Sequence, residues 1–299
     1  MTQAINAADL IINKQGRIYH IDLKPSEIAS TIILVGDPQR VSCVSQYFDT
    51  LEVKRSHREF ITHTGYIGNK RLSVVSTGIS TANIDIVLNE IDALWNIDFE
   101  TRQPKANLTT LEFIRIGTAG CMQASIEPGR FVASRYAVGL DNLQAFYPIE
   151  HTQSELALQA ALQNHCQHVS PAIQLQFVGG SDALLKQFDQ RCYQGITLTC
   201  PGFYAPQARH LRLPSMMPSL FEQLLSFNYQ NEVITNFEME TSAIYGLARA
   251  FGHQFISLSV MLNNRVTGVD LTNKPYHIDQ LIQHTLEQLT VNNHVAIPS

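Results

Sequence analysis

Several residues in this 299-residue chain stand where a charge or an amide is costly unless it meets a partner. Arg115 lies inside FIRIGTAG (113–120), an apolar strand-like run in which an unpaired guanidinium is expensive to bury. It needs an anion, from a structural carboxylate or from a ligand, and Gly117-Thr118 adds open backbone and a hydroxyl donor at the strand end. In VGDPQR (35–40) an apolar run stops at Gly36, Pro38 suits a first helical turn, and Arg40 follows one turn on. Free N–H groups at a helix start beside an arginine can hold an anion. An ordinary strand-to-helix turn with a surface arginine has the same pattern. Arg58 in SHREF stands just before another strand-like run and by itself reads as a solvated charge.

Two further stretches could handle a neutral partner. In TCPGFYAPQARH (199–210) two prolines and a glycine break regular structure, Phe203 and Tyr204 offer flat faces, and Gln207 and Arg209 supply an amide and a planar fork. That set suits a flat heterocycle with carbonyl and imide edges, though an ordinary polar loop has a similar composition. NFEMETSAIYGLARAFG (236–252) reads as a helix of small and apolar residues headed by Glu238 and Glu240. Glu240 is in helical phase with Ile244, Leu247 and Phe251, a stripe that should face a core. Glu238 in a first turn is favoured by the helix dipole without any ligand.

The elements that must position these groups alternate along the chain. Strand-like runs at 31–35, 60–67, 71–76, 112–117, 130–139, 173–179 and 255–262 are interleaved with helical spacing at 81–95, 153–165, 217–227 and 276–291. Residues 60–76 read as a hairpin about Gly68-Asn69-Lys70. Such alternation predicts an α/β single-domain three-layer sandwich, a central mixed β-sheet flanked by helices. Residues 1–16 read as an N-terminal extension and 98–110 as a polar surface loop inserted between a helix and a strand.

Composition narrows the function further. A net charge of −5 gives no basic field for nucleic acid or a membrane surface, so any anion must be held by a few local arginines. No apolar run is long enough for a spanning helix, and the first residues lack the apolar core of a signal peptide. The odd, scattered cysteines (43, 121, 166, 192, 200) fit reduced thiols in a cytoplasmic protein. Charged residues make up 16% of the chain, against about 25% in an average soluble domain. That shortage favours buried subunit contacts.

VGDPxR, HREF, STGI, RIGTxG and EME, in that order from about Arg17 to the C-terminal helix, resemble the nucleoside phosphorylase superfamily and within it the uridine phosphorylase branch. The resemblance implies that Gly36, Arg40, Arg115 and Thr118 bind phosphate, with Arg58 lent to the phosphate of a neighbouring subunit. It implies that Met239 and Glu240, with Glu238 beside them, hold the ribose, while His20 crosses the same interface to the sugar 5′-hydroxyl. Gln207 and Arg209 match the pair that reads uracil, and Phe203 the aromatic residue packed on the base. Glu59 matches a residue that in some relatives helps bind a monovalent cation such as potassium at a dimer interface. The implied reaction is phosphorolysis of uridine, with deoxyuridine and thymidine as related substrates, to uracil and α-ribose 1-phosphate in pyrimidine salvage. No cofactor is implied, because inorganic phosphate is a co-substrate. The implied assembly is a dimer-based homo-oligomer, a hexamer, without nucleic acid or membrane partners.

The purine branch places an aspartate after the EME segment, where this chain reads SVMLNNRVTG with no acid before Asp270. A purine phosphorylase or a nucleosidase is the nearest alternative, and a non-catalytic nucleoside-binding protein the alternative from another class. The chain departs from the pattern at Ser80-Thr81, where relatives usually carry glycines.

Overall fold

The computed structural model describes residues 4–166, 169–170 and 172–290. Its elements begin with β1 (Thr31–Val35), α1 (Pro38–Ser45), β2 (Thr50–His57), β3 (Phe60–Ile67), β4 (Lys70–Ser76) and α2 (Thr81–Asn96). A two-residue ribbon, β5 (Ile97–Asp98) with β6 (Gln103–Pro104), precedes β7 (Glu112–Cys121), β8 (Phe131–Gly139) and α3 (Gln153–His165). Then come β9 (Gln176–Gly179), α4 (Asp182–Gln187), β10 (Cys192–Thr199), α5 (Leu220–Ser226) and β11 (Asn228–Tyr229). β12 (Glu232–Glu238), α6 (Thr241–Ala250), β13 (Gln254–Asn264) and α7 (Lys274–Thr290) complete the described chain.

Sheet pairing runs β11-β12-β10-β8-β13-β7-β1-β4-β3-β2, with β9 added on β8. β1 lies parallel to both β4 and β7, whereas β8 is antiparallel to β13, so the sheet is mixed as the alternation predicts. Every residue of β1 is buried, because helices cover both faces. Ile32 and Leu34 join the core with Ile84, Val87 and Leu88 of α2 and Ile244 and Leu247 of α6. Ile33 and Val35 point the other way, into the core formed with Val41 of α1 and Leu281 and Ile282 of α7. The period-two alternation of one short strand thus joins both outer layers.

Two sequence expectations change. Residues 236–238 are the end of a strand, and the helix starts at Thr241 with Glu240 as its N-cap residue. β12 pairs in parallel with β10, and its Asn236 and Phe237 also pair antiparallel with Cys121 and Gly120 of β7. That second pairing closes β7, β13, β8, β10 and β12 into a ring, and tertiary pairing overrides the helical pattern of the local sequence. The 98–110 segment is more than a surface loop. Arg102 donates through Nε to the Ile5 carbonyl (2.8 Å) and through Nη2 to the Asn6 carbonyl (2.9 Å), tying down the N-terminal extension. No helix among the described residues is long and apolar enough to cross a membrane.

Candidate active site

Strand ends from separate parts of the chain open onto one cavity of about 780 Å³. That is the size range of small-molecule sites, roughly 300–1,000 Å³. The cavity gathers Gly36, Arg40, Arg115, Thr118, Phe203, Gln207, Arg209, Glu238, Met239 and Glu240, with Glu59 at its wall. Arg58 and His20 are not among its lining residues.

The cationic corner begins where β1 ends. Asp37 caps α1 by accepting from the Gln39 N–H (2.9 Å), and Pro38 occupies the first turn. This geometry turns Arg40 back toward the sheet, where its Nη1 donates to the Ile116 carbonyl (3.3 Å). Burial, and then the nearby Arg115 charge, lower the Arg40 pKa. Among the described residues Arg40 has no carboxylate within salt-bridge distance. Arg115 folds over its own strand, and a Cβ at residue 117 would come within 1.8 Å of its Nη1. Glycine at 117 leaves room for the Arg115 guanidinium in the place where its carboxylate partners hold it.

Arg115 does have structural carboxylate partners. Its Nη2 lies 2.5 Å from Glu240 Oε2 and 3.1 Å from Glu238 Oε2, with all three side chains buried. Burial works against the Arg115 charge, but the two glutamates outweigh it and its pKa rises. Glu240 is raised too, first by burial; Arg115 opposes this and Glu238 adds to it. The other Glu240 oxygen accepts from the Ser80 N–H (2.9 Å). Ser80 holds φ at +98°, a conformation that favours glycine, so the departure from the glycine pattern keeps the backbone shape glycine would give. Glu238 is occupied internally. It accepts from the Thr199 hydroxyl (2.7 Å), the Glu240 N–H (2.9 Å) and the Thr241 N–H (3.0 Å), and so fixes the start of α6.

The opposite wall is an irregular loop. Arg209 donates to the Phe203 carbonyl (3.1 Å) and to Gln207 Oε1, and its guanidinium lies 3.9 Å from the Phe203 ring centroid. Gln207 is buried, but Phe203 is 50% exposed. Arg265 supports the loop by donating to the Gln207 (3.2 Å) and Ala208 (3.3 Å) carbonyls while lying 5.3 Å from the rings of Phe221 and Phe237.

His20 and Arg58 lie together elsewhere. The His57 Nδ1–H donates to the His20 carbonyl (2.8 Å), and Arg58 Nη2 donates to the Tyr19 hydroxyl (3.2 Å) and sits over its ring.

Sequence reading missed Asn83, Phe237, Leu262, Asn263 and Lys274, all of which line the cavity. A strand reading of 232–238 would have exposed Phe237. Leu262 and Asn263 are consecutive yet face the same space because the β13–β7 register shifts between Met261 and Asn263. An irregularity of this kind re-aims a side chain, and no local signal announces it.

A ringed mixed sheet, Arg40 at the start of α1, Arg115 within β7 and the Glu240 carboxylate at the head of α6 together line one cavity. The chain belongs to the phosphorylase superfamily, whose family model matches residues 30–289. It is 30% identical over 267 residues to the uridine phosphorylase of Thermococcus kodakarensis, covering 89% of this chain and 84% of that protein. It is 26% identical over 252 residues to the uridine phosphorylase of Haemophilus influenzae, covering 83% and 86%. Among solved structures, a Trypanosoma brucei nucleoside phosphorylase described as showing uridine phosphorylase activity superposes with a TM-score of 0.85 at 30% identity. That match covers 95% of this chain and all of the other.

Proposed function

We propose that this chain is a single-domain enzyme, a pentosyltransferase that cleaves uridine with inorganic phosphate to give uracil and α-ribose 1-phosphate. The observation that carries the reading is Arg40, a largely desolvated cation with no carboxylate partner among the described residues, beside Gly36, Thr118 and the buried Arg115. A desolvated guanidinium left unpaired is an anion receptor. The uridine phosphorylases among its relatives support uridine as the nucleoside.

In this reading Arg40, Arg115, Thr118 and the Gly36 backbone hold phosphate below C1′, using position and electrostatics. A phosphate oxygen forms the new bond to C1′ as the bond to uracil N1 breaks. The electron pair passes to the base and spreads onto its carbonyl oxygens, where Gln207 and Arg209 donate, and the departing base then takes up a proton. Phe203 covers the ring. Glu240 and Met239 hold the ribose, with Glu240 kept in place by Arg115 and Ser80 and backed by Glu238. Arg58 and His20, outside this chain's own cavity, complete the site of a second subunit in a dimer-based cytoplasmic oligomer. No resident cofactor takes part. For a shared monovalent cation this chain offers Glu59, a single exposed carboxylate that builds no cage by itself, and no step depends on one.

Loss of uridine absorbance in the ultraviolet, followed with and without phosphate, tests the reading. Turnover should require phosphate, and Arg40→Ala should lower kcat/KM by about 10²–10³-fold while uridine binding persists. Inosine and adenosine run alongside should be poor substrates. Phosphate-independent cleavage, or a preference for purines, would sink it.

A further inference from the structure

We infer that Glu90 is the residue that positions His20 and selects its tautomer. This rests on the reading above, in which His20 meets the 5′-hydroxyl of a nucleoside held by a second subunit. Glu90 stands on α2, whose N-cap residue Ser80 donates its N–H to Glu240. One carboxylate oxygen lies 2.6 Å from His20 Nδ1, and both oxygens accept from the His20 N–H at 3.0 Å. The second oxygen also accepts from the Ile21 N–H at 2.9 Å. Only 12% of the Glu90 side chain is exposed, against 27% for His20, so the carboxylate is the covered partner and the imidazole the presented one.

The remaining freedoms of His20 are closed by its neighbours. Its carbonyl accepts from the His57 Nδ1–H at 2.8 Å, and the Tyr19 ring meets the imidazole edge-on at 4.8 Å between centroids. Backbone N–H, backbone carbonyl and Nδ1 therefore all have fixed partners, and among the described residues none hydrogen-bonds to Nε2, the polar atom left to act. A carboxylate can only accept, so Nδ1 carries a hydrogen. In the neutral ring Nε2 then presents a lone pair, which accepts from a hydroxyl. The same carboxylate–histidine logic orients imidazoles in metal sites. Here it aims one at a sugar.

The test is the preference for uridine over 5′-deoxyuridine, taken as the ratio of kcat/KM values in wild type, Glu90→Gln, His20→Ala and the double variant. Both substrates are measured on the same preparation, so a reduced folded fraction cancels from the ratio. In Glu90→Gln one end of the side chain becomes a donor. It then either faces the Ile21 N–H or reverses the tautomer of His20. The preference should shrink about tenfold in Glu90→Gln, carried by uridine alone. The double variant should match His20→Ala. If Gln at this position prevents folding, Glu90→Asp, which withdraws the carboxylate by one methylene, should reduce the same ratio.

Equal losses on both substrates, or an unchanged ratio in Glu90→Gln while His20→Ala collapses it, overturn the proposal alone. An unchanged ratio in His20→Ala overturns the 5′-hydroxyl assignment and this proposal together, with uridine phosphorolysis left standing. Absence of phosphate-dependent turnover in the wild type removes the functional reading and the proposal with it.

Discussion

Within the cavity one arginine sits between two glutamates, Arg115 with Glu238 and Glu240; away from it one glutamate sits between two arginines, Glu27 with Arg17 and Arg55. The carboxyls respond in opposite directions. Burial opposes ionisation of Glu27, but hydrogen bonds from Arg17 and Arg55 outweigh it and hold the group at about 2. Glu240 is raised, because burial and a second carboxylate together exceed what one shared arginine supplies. Two cations per carboxylate near solvent make a contented anion. Half a cation per carboxylate in the interior makes one that is held in tension, and the unpaired Arg40 stands close by. The contrast lies in charge balance and burial, which a count of ion pairs does not record.

Breaking the buried triad should have the larger effect. Arg115→Met leaves two buried carboxylates without their cation and should cost about 3–5 kcal/mol of stability at pH 7, read by urea unfolding, as well as abolishing turnover. A loss no larger than that of a surface charge would show that Glu238 and Glu240 do not depend on Arg115.

The pH dependence sharpens the comparison with a smaller effect of opposite sign in the two places. Glu27 has a depressed folded pKa, so its stabilisation is present above the ordinary glutamate value and lost as pH falls through about 2. The stability gap between wild type and Glu27→Gln should therefore open in favour of wild type as pH rises from about 2 toward about 4.5. Solvent screening of this partly exposed cluster limits the gap to about 1 kcal/mol or less. Glu240 has a raised folded pKa, so its contribution is fully present below the unfolded value and is lost as pH rises through the raised one. The gap between wild type and Glu240→Gln should move against wild type as pH climbs above about 4.5, the ordinary glutamate value. Parallel slopes for the two variants, in denaturation followed across pH, would mean that the triads do not differ as described.

How far the site could be read in advance depended on whether the cost of a residue was visible locally. Arg115 in an apolar strand announces a need for an anion from its own neighbours in sequence; the structure supplies Glu238 and Glu240, and carries the strand past the expected end at Gly117-Thr118 to Cys121. Of the two alternatives left open for it, ligand or structural carboxylate, the structure supplies the carboxylates, and Arg115, Glu238 and Glu240 line the cavity together. Glu240 meets Arg115 as the N-cap residue of α6, not from inside the helix that its spacing suggests. Its stripe with Ile244 and Leu247 is a consequence of capping the helix, while Asn236 and Phe237 belong to a strand paired on both sides. Asn263 and Lys274 could not be found, since a register shift and a helix start well downstream of EME bring no pattern of their own.

The sequence by itself determined the alternation of strands and helices, the buried setting of Arg115 in an apolar strand, the turn before Arg40, and the ordered motifs that match the family, because each is a matter of local periodicity, turn chemistry or spacing. Only the tertiary structure decided that β12 closes a ring with β7, that Arg115 is shared by two glutamates, and that His20 and Arg58 lie together outside the cavity their own chain builds. Those facts depend on pairings and on burial between residues far apart in the chain. A residue's own neighbours in sequence carry no record of which distant partner will lift it out of water.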